Sequence, residues 1–97
     1  MSPAQDDVLD KILIIRECLE KRFHEVRPHN VQQEIFFFHD GQRDFQFGFY
    51  RPAVEEVPLE RLRTFMETEV IPMIVQNPGM QTFWGTDGFS IRDKVST

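Results

Sequence analysis

The stretch Ile35-Phe36-Phe37-Phe38-His39-Asp40-Gly41-Gln42-Arg43-Asp44-Phe45-Gln46-Phe47-Gly48-Phe49-Tyr50 decides how this chain folds. Its second half alternates. Phe45, Phe47 and Phe49 are separated by Gln46 and Gly48, the period of two that a half-buried strand requires. Asp40-Gly41 is a hairpin signal, because a type I′ turn needs positive φ at both central positions. Strands are therefore expected over residues 31–39 and 43–50. A two-residue turn puts Phe36 opposite Phe45 and Glu34 opposite Phe47, so that Phe36 and Phe38 join the Phe45 face. A three-residue bulged loop would bring Ile35 and Phe37 there instead. Residues 35–38 are apolar on both faces, so the pattern permits either register; we adopt the two-residue turn.

Upstream, residues 6–26 read as an amphipathic helix, with Val8, Ile12, Ile15, Leu19, Phe23 and Val26 recurring at steps of three and four. Ser2 or one of the early Asp residues can cap its start, and Pro28 ends it. Leu9, Leu13 and Ile14 widen its apolar face. Downstream, residues 51–57 form a loop between Pro52 and Pro58. A second helical stripe follows in Leu59, Leu62, Met66, Val70 and Met73, over residues 58–76. Pro72 should kink or shorten that helix, and Asn77-Pro78-Gly79 stops it. Residues 80–84 and 89–92 suggest a weaker hairpin turned by Gly85-Thr86-Asp87-Gly88, and residues 94–97 should fray.

The expected fold is thus a single α+β domain over residues 1–97, in the order αββαββ. Two helices pack on one face of a four-stranded antiparallel sheet. A shift of forty-seven residues, the separation of Gly41 and Gly88, lays the first helical stripe on the second and Phe36 on Phe83, which suggests an internal pseudo-repeat. The plainer explanation is that any two amphipathic helices match once one apolar pair is aligned.

Composition narrows the functional classes. Apolar residues make up 40% of the chain and charged residues 28%, which suits a globular protein and not a disordered one. Ten Phe residues must fill a core or mark an interface. Cys18 is the only cysteine, which excludes an internal disulfide and fits a reducing compartment. Residues 1–7 carry neither a basic nor an apolar leader segment, and the run Ile12 to Ile15 is far too short to cross a bilayer. The expected location is the cytoplasm, with no membrane partner. The formal net charge of −5 disfavours a general nucleic-acid binder, since phosphate neutralisation supplies most non-specific affinity.

No side-chain constellation points to catalysis, a metal or a cofactor. His24 and His29 straddle Pro28, His39 sits near the hairpin tip, and nothing completes a ligand set at familiar spacing. Cys18 lies mid-helix beside the apolar stripe, where packing is its expected role. Ser90 lacks a nucleophile elbow. The Glu55-Glu56 pair sits in an open segment with nothing to separate its pKa values. Lys21, Arg22, His24, Arg27 and His29 form a basic stretch, but Glu20 and Glu25 interrupt it and no RNP-type string is present.

Protein binding is the leading expectation. If Phe36, Phe38, Phe45, Phe47 and Phe49 meet the helices, then Val31, Ile35, Phe37 and Tyr50 lie on the other sheet face, and the repeat shift adds Trp84. Ile35, Phe37, Tyr50 and Trp84 have the composition of an interface centre. The partner would be a second copy in a homodimer or another protein, as for an immunity protein, an inhibitor or a secretion chaperone. A single-stranded nucleic-acid binder using the aromatic hairpin is the alternative, and a small enzyme comes third.

Overall fold

Phe45, Phe47 and Phe49 do alternate as a strand, and among the described residues that strand is the middle of five. The computed structural model describes residues 3–29 and 34–96, with side chains from Val8 onward. The capping roles expected of Ser2, Asp6 and Asp7, and the strand role of Val31, lie outside the described residues. The elements are α1 (Pro3–Arg22), β1 (His24–Pro28), β2 (Ile35–His39), β3 (Asp44–Phe49), α2 (Arg51–Glu55), α3 (Leu59–Phe65), a π segment (Met66–Val70), α4 (Ile71–Val75), β4 (Gln81–Gly85) and β5 (Gly88–Arg92). The strands form one sheet in the order β1-β2-β3-β4-β5. The α+β class therefore holds. The four-stranded αββαββ layout does not.

Three differences have identifiable causes. Helix α1 ends at Arg22, and the segment expected to finish it becomes β1. A three-residue step from Phe23 to Val26 suits a helix, but pairing with β2 buries both residues as well. Phe23 then packs its ring 4.6 Å from Phe38 and 5.2 Å from Phe45. As an edge strand, β1 is blunted by a bulge between His24 and Arg27, by Glu25 at φ 53° and by Pro28, devices that discourage pairing with another chain.

Second, the segment expected as a loop holds the short helix α2. Tyr50 is extended and its carbonyl accepts the Ala53 and Val54 N–H groups. Pro52 falls in the first turn, where a missing N–H costs nothing. Ala53 and Val54 are buried, and Lys11 Nζ donates to the Glu55 carbonyl at 3.0 Å, tying α2 to α1.

Third, the sheet is mixed. β3 pairs with β4 in parallel, with Phe49 opposite Trp84. A helical crossover naturally returns the chain in parallel, whereas antiparallel neighbours need only a tight turn. This overturns the all-antiparallel expectation. It also removes the pseudo-repeat, because Phe36 lies on the helix side of the sheet and Phe83 on the other.

The first hairpin keeps the expected faces but not the expected pairs. Phe36 lies opposite Phe47, and Phe38 opposite Phe45. The turn is centred on Gly41-Gln42, one residue later than the Asp-Gly reading. Asp40 causes the slip: Oδ1 accepts the Gln42 and Arg43 N–H groups at 3.0 and 2.8 Å, while its own N–H donates to the Arg43 carbonyl. Those donors, Arg43's first, hold the Asp40 carboxyl down at about 2. Because the pairing slips by two residues, every side chain keeps its face.

All the helices cover one side. Ile15, Leu19, Val54, Leu62, Met66 and Ile74 join the helix-side Phe residues and Trp84 in one core. The buried positions of the rod over residues 59–75 are Leu62, Met66, Val70 and Ile74, a strict spacing of four. Each such step overshoots a regular turn by about 40°. The π segment absorbs the drift, since the Ile71 N–H reaches back to Met66 O and so widens one turn. Ile74 consequently enters the core in place of the expected Met73. Pro72 falls in the first turn of α4, so it neither breaks nor shortens the rod.

Two stability measurements check this account. Pro72→Ala should change unfolding free energy in a denaturant titration by less than ~1 kcal/mol, against the ~3 kcal/mol gain expected on removing an interior helix breaker. Thr82 is fully buried beside the core, and its hydroxyl has no partner among the described residues. Thr82→Val should therefore stabilise the fold by about 1 kcal/mol or more.

Candidate functional site

The face of the sheet turned away from the helices is the candidate site. Strand parity places Arg27, Ile35, Phe37, Gln46, Gly48, Gln81, Phe83, Ser90 and Arg92 there. Its floor is shaped by Gly48. A Cβ at that position would lie 3.0 Å from Gln81 Oε1 and 3.1 Å from Phe83 Cδ2. A larger residue would push those side chains aside by a few tenths of an ångström, and glycine lets them lie close across β3. Arg92 then stacks its guanidinium 3.6 Å from the Phe83 ring centroid. At the other end, Phe37 is covered by Arg27, 5.8 Å from its centroid, and by the His29 ring at 5.6 Å.

Residues 93–96 cross this face as a strap. Gln46 holds them: its Nε2 donates to the Val95 carbonyl at 2.8 Å and its Oε1 accepts the Val95 N–H at 2.9 Å. Buried Gln81 lies behind, its Nε2 3.5 Å from the same Oε1. His29 Nε2 lies 3.1 Å from the Ser96 carbonyl oxygen. Fraying was the expectation for residues 94–97. Instead 94–96 lie against the sheet, and Thr97 lies outside the described residues. The strap leaves a groove of ≈ 770 Å³ on the β1 side, lined by Arg27, Phe37, Gln46 and Lys94 among others, and one of ≈ 270 Å³ on the β5 side.

The four residues expected to form an interface are not brought together. Ile35 and Phe37 share the open face, but both are buried within the chain. Tyr50 sits at the end of β3, half-exposed, beside the β4–β5 turn. Trp84 is on the opposite side, in the core with its ring 5.0 Å from Phe65, because its parallel pairing with Phe49 fixes its parity. Sequence reasoning missed Gln46, Phe83, Arg92 and Val95. Strand alternation already put Gln46 opposite the Phe face, and Val95 is a lone apolar residue in a polar tail.

The titratable groups form no further centre. His24 and His39 are 5.7 Å apart, ring to ring, and Glu25 Oε2 is 3.4 Å from His39 Nε2. Among the described residues no group of three or more His, Cys, Asp or Glu side chains is arranged to hold a metal ion. Cys18 is buried, and burial pushes its thiol up, away from the thiolate that nucleophilic chemistry needs. No helix among the described residues is long and apolar enough to cross a membrane. No protein-family model, curated protein or solved structure matches this chain.

The contrast between Phe37 and Phe83 is open to measurement. Phe37→Glu should cost more than the ~3 kcal/mol of a buried Phe truncation, since it also buries a charge. Phe83→Glu, at a partly buried position, should cost less than Phe37→Glu, because only part of the ring's burial and one cation–π contact are lost. Parallel chemical denaturation of the two variants reads the difference.

Proposed function

We propose that this chain is a non-catalytic protein-binding module that works in the cytoplasm through the open face of its sheet. It would occlude or hold its partner, as an immunity protein, an inhibitor or a secretion chaperone does. One observation carries the reading. The helices cover one side of the sheet, while the other side's apolar residues are sealed by nothing larger than arginine side chains, a histidine and residues 93–96. Phe83 is only partly buried, and a partner protein would complete its cover at about 25 cal/mol for each Å² of apolar surface removed from water. Phe83 with Arg92, and the groove beside Phe37, replace the expected set of Ile35, Phe37, Tyr50 and Trp84 as the contact surface. Aromatic and arginine anchors of this kind dominate binding energy in protein interfaces.

A second copy of the chain is the simplest partner, through a twofold that joins open face to open face. The single-stranded nucleic-acid alternative draws less support. Phe83 is already capped by Arg92 and Phe37 is buried, so the rings on which bases would stack are occupied.

The test compares the wild type with Phe83→Glu and Arg92→Glu. Sedimentation over a hundredfold range of concentration should show self-association that both variants lose. If the wild type is monomeric, quantitative capture from extracts of the source cells should show a protein retained by the wild type alone, confirmed by titration with that protein purified. Indistinguishable sedimentation and capture for all three chains would overturn the assignment of this face.

A further inference from the structure

We propose that residues 93–96 are a built-in occupant of a peptide-binding face, whose partner is an extended polypeptide carrying a small apolar side chain where Val95 now sits. This inference rests on the open face being the binding surface and names what that surface reads. In an extended chain the N–H and C=O of one residue point the same way, which is how paired strands exchange two hydrogen bonds. The Gln46 amide supplies that donor and acceptor together: it gives a hydrogen to the Val95 carbonyl and takes one from the Val95 N–H. A clamp of this kind reads main chain and accepts many sequences. The Ser96 carbonyl beside His29 adds a second main-chain contact.

The side chains of the strap contribute one anchor. Val95 is half-buried over the sheet, whereas Asp93, Lys94 and Ser96 are exposed. Val95 lines both grooves, so the strap occupies only the middle of the face. The larger groove beside it, ≈ 770 Å³ and edged by Arg27, Phe37 and Lys94, has room for the flanking side chains of a longer segment. Strap and partner use the same amide of Gln46 and therefore exclude each other. Tethering gives the strap an effective concentration on the order of millimolar, so a partner must outcompete it, and anything that lifts the strap opens the face.

The test uses the full chain and a fluorescein-labelled peptide with the sequence of residues 92–97, titrated by fluorescence anisotropy. Val95→Asp should release the strap and bind the peptide at least tenfold more tightly than the wild type does. Adding Gln46→Leu to Val95→Asp should abolish that gain. Equal affinity for the wild type and a folded Val95→Asp, or a gain that survives Gln46→Leu, would overturn the proposal. Should Val95→Asp fold poorly, hydrogen exchange on the wild type decides. Excess peptide should speed exchange at the Val95 N–H, and unchanged protection counts against displacement. If Phe83→Glu loses a partner but released Gln46 takes no peptide, the face stands and the strap inference alone fails.

Discussion

Strand parity on β3 is the constraint from which the rest of the molecule follows. Phe45, Phe47 and Phe49 all point one way, and each is buried almost completely. Three large rings on one side of a central strand leave no choice about where the helices go. Phe36 and Phe38 from β2 extend the same surface, and the crossover over α2, α3 and α4 must return on that side to cover it. The other side is then left with Gln46 and Gly48, a polar clamp and a gap. The apolar wall and the binding floor are thus two consequences of a single alternation.

That alternation was plainly legible in the sequence, and so were the helix side of the sheet and the two long helical stretches. What could not be read locally was the choice between structures that bury the same residues. Phe23 and Val26 are hidden whether residues 24–28 continue a helix or pair with β2. The hairpin slipped because the Asp40 carboxylate competes with the backbone for the turn's N–H groups, a contest that an Asp-Gly pair does not announce. The parallel return of β4 depends on a crossover, and the helical stripe says nothing about the direction in which the chain re-enters the sheet. Trp84 was misplaced for that reason alone.

The candidate site was legible in part. Placing Ile35 and Phe37 away from the helices was sound, but the way they are covered was not visible. Their cover comes from Arg27 and His29 across the strand pair and from a segment some sixty residues away. A polar tail with one valine carries almost no pattern. Its position depends on an amide side chain whose role appears only when the two meet. A sheet face sealed by arginines and a glutamine-held strap also explains how a chain so rich in Phe presents few large exposed apolar side chains. Among the described residues, Leu9, Leu13, Tyr50, Leu59 and Ile91 are the exceptions.

The widened turn over Met66–Val70 also has a meaning in terms of chain length. Buried positions at 62, 66, 70 and 74 are what a regular helix with one added residue looks like. Take one residue out between Met66 and Val70, and the buried positions become separated by four, three and four, the spacing of an ordinary amphipathic helix. The loss would leave α4 facing the core as it does now, because the wide turn would close to a regular one. This rod is therefore the place where the fold can absorb a one-residue deletion inside a helix, something helices elsewhere in the molecule would answer by rotating their apolar faces into water.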